Sequence, residues 1–418
     1  MPPSLQSLPN ELKIEIMTRL PTKSLICLSA VSKPWLSYLT SYEFVSAHLS
    51  EAATKQFFFA TTTNSNSLFA LIKHGDKVDC DLTVQFGPII KPDQLFQNKF
   101  SVSLHHCIVE GIEIVGSFDG IFCLTFTRRD SYPSIILWNP SIRRHVLLPP
   151  PSFHTPRKGG NAIGFCVASD GDYRVVWVHE KHEDNAMSVE IYSLNSGKWR
   201  IRRYGHDLFP TRWLLNGQAF VGGKMHWIGC EYHEYWIGSE YEDEMCYTPK
   251  CDICSVTSFD INEELFRDVP LPNRLKGFDL PGTSYIAVVG ESLGIIDYDS
   301  GSYDIWVMQD YGNVDSWTRL YVIDIRDYIK RLPLVVALDT WKNPGVSAGA
   351  HQWFSFMNHE AFFVYGEYGD DTFEYVAKYV ESLVLLGHKD AVADVHLLQA
   401  IAVTRHMAED NAGDGQEI

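Results

Sequence analysis

The sequence predicts a small all-α module at the N-terminus, a large all-β domain after it, and one more helix near the C-terminus. Three patterns support this fold class. Apolar residues recur at helical spacing between residues 8 and 49. From about residue 55 onwards, short apolar runs alternate with Gly, Asp and Asn turns at the two-residue period of strands. Helical spacing returns between residues 391 and 407, where Leu397, Leu398 and Ile401 form an apolar face.

The N-terminal module, residues 1–49, is predicted to contain three short helices. In the first helix, Leu12, Ile16 and Leu20 recur every fourth residue and therefore lie on one face. Pro21 ends this helix because proline cannot continue it. The other two helices are predicted from cap and apolar residues, which are Thr22, Ser24, Leu25, Ile26 and Leu28 for the second and Ser32, Pro34, Trp35, Leu36 and Leu39 for the third.

A module of this size cannot bury a stable core by itself. Its surplus of apolar side chains therefore predicts a partner that covers part of its surface. The alternative is a helical subdomain that packs inside a larger α+β protein. We favour a chain with a docking end and a recognition end.

Composition limits the compartments and partners of the protein. The hydrophobic content of 45% is that of a folded protein, yet no run reaches the ~18 uncharged apolar residues needed to span a bilayer. Nine cysteines, an odd number scattered along the chain, argue against a disulfide framework. Together with the absence of a secretory-signal pattern, they predict the cytosol or the nucleus. The net charge of −17 argues against nucleic-acid binding and is compatible with a basic partner.

The strand-rich region, residues 55–387, contains a weak internal repeat. Each copy reads as a strand, a polar turn and an aromatic residue, and the copies lie at 136–144, 190–199, 258–266 and 296–306. A single hairpin cannot bury its own aromatic face, so neighbouring units are expected to stack. We interpret the region as a β-propeller whose number of blades stays open.

The stretch LPNELKIEIMTRLPTKSLICLSAVSKPWLSYL, residues 8–39, resembles the F-box. This resemblance implies docking to a Skp-type adaptor of cullin–RING ubiquitin ligases. Ala30 stands where family members often carry cysteine, and Leu28-Ser29 replaces an aromatic–basic pair, so we expect weakened rather than abolished docking. The residues expected to bind the adaptor are Leu8, Pro9, Leu12, Ile16, Leu20, Pro21, Leu25, Leu28, Val31 and Trp35.

The strand-rich region resembles the F-box-associated, kelch-like domain of plant F-box proteins. The residues that carry this resemblance are Gly116–Leu124, Leu137–Ser141, Asn216-Gly217, Met225–Trp227, Ser258–Asp260, Val269–Pro272 and Tyr379–Leu383. It implies a non-catalytic substrate receptor without a cofactor, whose propeller binds a protein target for ubiquitination. The S-locus pollen receptors, which recognise basic ribonucleases, share this architecture, and the acidic charge fits them as well as many other members.

An acidic and aromatic insertion between residues 226 and 256 departs from the family pattern. Aromatic anchors surrounded by acidic residues suit a basic target. A solvated loop held by its own aromatic residues would have the same sequence pattern. The residues expected to bind the target are Tyr232, Tyr235, Trp236, Glu240, Glu242, Asp243 and Glu244.

The same insertion contains a weak zinc pattern. Cys251-x-x-Cys254 with Cys246 and Cys230 would supply four thiolates, although His226 or His233 could replace Cys230. A single Cys-x-x-Cys without a matched second pair favours free thiols in a hairpin, so we expect no metal.

Other classes of function have less support. The sequence has no Gly-x-Ser-x-Gly elbow, phosphate-binding loop or His-Glu-x-x-His helix. His106 and Cys107 are adjacent, and adjacent strand residues point to opposite faces, so we predict no catalytic pair there. Two alternative functions stay open: an F-box scaffold that acts outside a ligase, and a propeller enzyme with carboxylates at a central channel.

The acidic tail, residues 408–418, is predicted to be disordered.

Overall fold

The structure is a computed structural model of the chain. It describes residues 9–53, 57–62, 70–73, 109–128, 131–151, 162–180, 187–204, 213–214, 218–233, 250–272, 275, 284–299, 302–324 and 373–393. These residues divide into two compact units. The first contains the helices and the strands at both ends of the chain, and the second contains the strands between residues 162 and 324.

Four helices form the N-terminal module: α1 Asn10–Thr18, α2 Thr22–Ser29, α3 Lys33–Leu39 and α4 Tyr42–Ala52. The prediction of three helices ending at residue 49 was wrong in number and extent. Ser41 caps α4 by accepting a hydrogen bond from the backbone N–H of Phe44 at 3.3 Å. Phe44, His48 and Ala52 then follow at a spacing of four residues and are all buried. The stripe was missed because histidine and alanine give it a weak apolar signal.

The core of the module is built from one large side chain of each helix. Met17, Leu25, Leu39 and Phe44 are 0% exposed. Burial of a side chain of this size contributes about 2 kcal/mol. The four residues therefore hold together helices that are each too short to be stable alone.

Strands make up the rest of the described chain. Their bounds are β1 Phe57–Thr62, β2 Ala70–Lys73, β3 Val109–Phe118, β4 Ile121–Arg128, β5 Ser131–Asn139, β6 Arg144–Leu147, β7 Ala162–Val167, β8 Tyr173–Glu180, β9 Met187–Ser193, β10 Lys198–Tyr204, β11 Trp213–Leu214, β12 Ala219–Val221, β13 Lys224–His233, β14 Lys250–Asp260, β15 Leu265–Pro270, β16 Ser284–Val289, β17 Ser292–Asp299, β18 Ser302–Met308, β19 Trp317–Asp324, β20 Phe373–Tyr379 and β21 Val392–Ala393. A short 3-10 helix, Val314–Ser316, precedes β19.

All strand pairs among these elements are antiparallel. In the first unit the strand orders are β2-β1-β20 and β21-β6-β5-β4-β3. In the second unit they are β10-β9-β8-β7, β11-β13-β14-β15 with β12 also paired to β13, and β16-β17-β18-β19. Sheets of consecutive antiparallel strands are typical of propeller blades.

The four predicted repeat copies are all strand–turn–strand units. They coincide with the β5–β6, β9–β10, β14–β15 and β17–β18 hairpins. A core of large apolar side chains packs between the sheets of the second unit, including Ile228, Leu293 and Trp306. The helical module followed by an all-β domain is confirmed.

The predicted C-terminal helix, residues 391–407, does not begin where expected. Val392 and Ala393 form β21, which pairs with the outer edge of β6. The strand satisfies backbone groups that β6 would otherwise expose. Residues 394–407 and the tail 408–418 lie outside the described residues.

Candidate functional site on the helical module

Large apolar side chains reach solvent on the helical module. On α1, Leu12 is 46% exposed and Ile16 is 44% exposed. They are one helical turn apart, so they share a face, while Met17 points into the core. Val31, between α2 and α3, is 69% exposed. Leu12 and Ile16 therefore present a shared apolar face to solvent, and Val31 adds a third exposed apolar side chain.

The predicted adaptor-binding residues divide into three groups by exposure. Pro9, Leu12, Ile16, Pro21 and Val31 are exposed, and Leu20, Leu28 and Trp35 are half-buried. Leu8 lies outside the described residues.

Leu25 does not belong on the surface. It is 0% exposed and forms part of the core of the module, so its contact with the adaptor stays a prediction that this burial does not support. Thr22 and Leu25 are the buried residues of α2, and an incoming partner cannot touch Leu25 unless the module opens.

Two exposed apolar residues were missed. Leu36 on α3 is 37% exposed, and Tyr42 at the start of α4 is 84% exposed. Leu36 was predicted as an apolar residue of the third helix. Tyr42 carries no periodic signal because it is the first residue of its helix.

A network of hydrogen bonds fastens the C-terminal segment to the β3–β6 sheet. The buried Asn139 side chain donates from Nδ2 to the carbonyl of Val384 at 2.8 Å and to Ser382 Oγ at 2.9 Å. Its Oδ1 accepts the backbone N–H of Ser141 at 3.0 Å, and Ser141 Oγ accepts the N–H of Ser382 at 3.1 Å. We call residues 380–391 the strap.

The strap packs tightly on its neighbours. Gly120, with φ +76°, lies so close to the Val380 carbonyl that a Cβ atom would overlap it. Leu383 and Leu386 are 1% and 5% exposed. At the far end, a Cβ on Gly387 would lie 2.8 Å from Thr40 Cγ2, at the end of α3. The strap therefore joins the helical module to the β3–β6 sheet.

In the second unit a buried histidine holds an exposed tyrosine. His226 is 0% exposed, and its Nε2 lies 2.7 Å from Tyr311 Oη while Nδ1 lies 3.1 Å from the Ala219 carbonyl. Burial lowers the pKa of His226 to about 4, so the ring is neutral at pH 7. Nδ1–H then donates to the carbonyl and Nε2 accepts from the tyrosine hydroxyl. This arrangement fixes the loop between β18 and β19 and leaves the imidazole no access to solvent.

The proposed target-binding insertion is described only at its base. Tyr232 lies on β13 opposite Cys251 on β14, and Cys230 lies opposite Ile253. The other predicted target-binding residues, Tyr235, Trp236, Glu240, Glu242, Asp243 and Glu244, lie outside the described residues, and so does Cys246.

The zinc and catalytic-pair expectations are not tested by this structure. Within the described ranges, no three His, Cys, Asp or Glu side chains group as a metal site requires. Cys254 lies on β14, whereas His106 and Cys107 are outside those ranges. Among the described residues, no helix is long and apolar enough to cross a membrane.

The protein thus combines a helical module that exposes apolar side chains with antiparallel sheets. The F-box domain model matches residues 5–46. The F-box associated beta propeller domain model matches residues 78–385. The chain therefore belongs to the family of F-box proteins with an associated β-propeller domain, as the two sequence resemblances predicted.

Relatives in Arabidopsis thaliana are similar over most of their length. The F-box/kelch-repeat protein At3g23880 is 22% identical, over 79% of this chain and 83% of its own. F-box protein CPR1 is also 22% identical, over 81% and 79%. Among solved structures, the Malassezia sympodialis allergen Mala s 1 is 11% identical over 46% of this chain and 72% of its own, with a TM-score of 0.25. That TM-score is too low to support an argument.

Proposed function

We propose that this protein is a substrate receptor of a Skp–cullin–RING ubiquitin ligase. Its F-box docks a Skp-type adaptor, and its β-propeller domain binds a protein target. The chain performs no covalent step. It raises the concentration of the target's lysines near the ubiquitin-conjugating enzyme, where the ligase acts in the cytosol or nucleus.

The exposed apolar side chains of the F-box are the observation that carries this proposal. Leu12, Ile16 and Val31 stay in solvent although the module has a formed core beneath them. Full burial of such a side chain against a partner contributes about 2 kcal/mol. The proposed adaptor contact also includes residues near these three in sequence. They are the half-buried Leu20, Leu28 and Trp35 and the exposed Pro9 and Pro21.

Docking can be tested by measuring adaptor binding to the full chain. Leu12→Asp with Ile16→Asp should weaken binding by at least about a hundredfold, because two buried apolar contacts become charges. The matched control is Leu320→Asp with Val322→Asp on β19, where the side chains are 40% and 53% exposed. Equal adaptor binding by the two double variants would refute the proposal that Leu12 and Ile16 contact the adaptor.

Target recognition is proposed for the acidic insertion and its base at Tyr232. The charges there suit a basic protein surface. Capture under proteasome inhibition would identify the target. Lysine substitutions at Glu240, Glu242, Asp243 and Glu244 should then weaken its binding, and unchanged binding would exclude the insertion.

Membership of a ligase is tested separately from docking. When the purified full chain is mixed with adaptor and cullin and then pulled down, both proteins should be recovered with it in one complex. Recovery of the adaptor with consistent loss of cullin would favour a scaffold that acts outside a ligase.

A further inference from the structure

A basic strand edge stands out in this acidic protein. The chain has a net charge of −17, yet β10 reads Lys-Trp-Arg-Ile-Arg-Arg-Tyr without an acidic residue. Lys198, Arg200, Arg202 and Arg203 are all exposed. Arg267 on β15 is exposed as well, and β10 and β15 are the terminal strands of their sheets in the described part of the chain. We call these five cations and the two strands the basic edge.

Two of the arginines are held in place by one carboxylate. Both Arg200 and Arg202 pair with Glu264, whose side chain is 11% exposed. The Tyr204 hydroxyl donates to the Glu264 carbonyl at 2.8 Å and fixes the same turn. Burial alone would raise the pKa of Glu264, but the hydrogen bonds and charges of Arg200 and Arg202 together outweigh it and lower the pKa, so Glu264 stays ionised and the two guanidinium groups keep their positions. Ordered arginines lose less conformational entropy when they bind an anion.

The carboxylates in reach do not neutralise the basic edge. Glu264 is shared by two arginines, and Glu263 pairs with Arg267 at 2.8 Å. Asp268 accepts from Ser255 and Thr257 on its own sheet. Against the five cations, these three carboxylates leave an excess of two positive charges among the described residues that reach solvent. Glu190, opposite Ile201 on β9, is 0% exposed and lies 3.5 Å from His179. Within the described residues, Lys198 and Arg203 make no ion pair.

The backbone of β10 is open on one side. Within the described residues β10 pairs only with β9, through every residue from Lys198 to Tyr204. The outward N–H and C=O groups of a terminal strand can pair with another extended chain. Because strand residues alternate, Arg200 and Arg202 share one face, while Ile201, which is 39% exposed, lies on the other.

The charges determine which chain fits. Two copies of β10 side by side would place arginines against arginines, which disfavours a second copy of this protein. An incoming strand with acidic residues at every second position would meet Arg200 and Arg202, and its apolar residues would meet Ile201. We propose that the basic edge binds an extended segment of a partner protein in which acidic and apolar residues alternate. This proposal does not depend on adaptor docking or on ligase membership.

Fluorescence anisotropy of the full chain with a fluorescein-labelled peptide of alternating Glu and Val tests the proposal. Lys198→Glu with Arg202→Glu, which reverses two cations on the face of β10 that would meet the acidic residues, should weaken binding by about tenfold or more. The charge-matched control, Arg143→Glu with Lys389→Glu, reverses two exposed cations elsewhere and should leave binding unchanged. Circular dichroism of both variants verifies that they fold.

A second peptide separates strand pairing from charge attraction alone. N-methylation at every residue removes the backbone donors on both edges of the peptide while it keeps the carboxylates, and it should abolish binding. Equal binding of the methylated peptide would overturn the proposal, as would failure of the unmethylated peptide to bind or equal weakening by both pairs of reversals.

Discussion

Replacing Asn139 with alanine should release the strap. Asn139 is 0% exposed, its two Nδ2 hydrogens are shared among three acceptors within 3.2 Å, and its Oδ1 accepts one further hydrogen bond. Each buried hydrogen bond contributes about 1 kcal/mol net, and unpaired partners cost more. Ser382 Oγ can turn to a new partner, whereas the Val384 carbonyl cannot. We therefore expect Asn139→Ala to lower the free energy of unfolding by about 3 kcal/mol.

Urea unfolding and hydrogen exchange measure this effect at two levels. Residues 380–391 should lose amide protection before the rest of the described chain, because their anchor is gone. The matched control is Asn262→Ala, since exposed Asn262 accepts from Ser169 N and Oγ at 3.2 and 2.7 Å and should cost less than about 1 kcal/mol. Equal losses of stability in the two variants, or unchanged protection of the strap, would refute the reasoning.

Three further predictions concern other parts of the chain. Gly120→Ala should destabilise the protein by more than about 3 kcal/mol, because the new Cβ overlaps a strap carbonyl. In the control Gly171→Ala, the new Cβ meets no atom within 4 Å, so the substitution should cost only about 1 kcal/mol for its positive φ. Urea unfolding measures the loss of stability in both variants. The pKa of His226 falls from 6.5 unfolded to about 4 folded, so the unfolded chain binds more protons in this range and stability decreases as pH falls from 6.5 towards 4, by up to roughly 3 kcal/mol. His226→Gln should flatten this part of the stability–pH curve, and an unchanged slope would contradict the assignment. Brief iodoacetamide treatment should alkylate exposed Cys27 and spare Cys166, because burial raises the pKa of the Cys166 thiol to about 12; peptide mapping by mass spectrometry gives the ratio.

Local patterns predicted the local structure well. The polar turns between alternating apolar residues located the β5–β6, β9–β10, β14–β15 and β17–β18 hairpins. Their places in the sheets could not be predicted, because β17–β18 joins the second and third strands of its sheet while β9–β10 joins the third and fourth. A hairpin motif specifies the turn that connects two strands, but it does not specify which other strands these two pair with.

The candidate site was predicted less completely. Periodicity identified Leu12 and Ile16 as apolar positions of one face but could not separate an exposed residue from a core residue such as Leu25. In a helix of two turns both choices fit the same pattern. The convergence of Asn139 with Ser382, which are 243 residues apart, depends on the tertiary fold.

The pairing of both ends of the β region affects how the protein is made. β1, next to the helices, pairs with β20, and the strap follows β20 directly. Helices form from local contacts, whereas these pairings await the synthesis of β20. A transcript cut short before Phe373 would encode a protein with a formed F-box, but β1 would keep only β2 as a partner strand and the strap would be missing. On the proposed function, such a fragment would compete for the adaptor without delivering a target, so a truncated allele should act dominantly over the intact one.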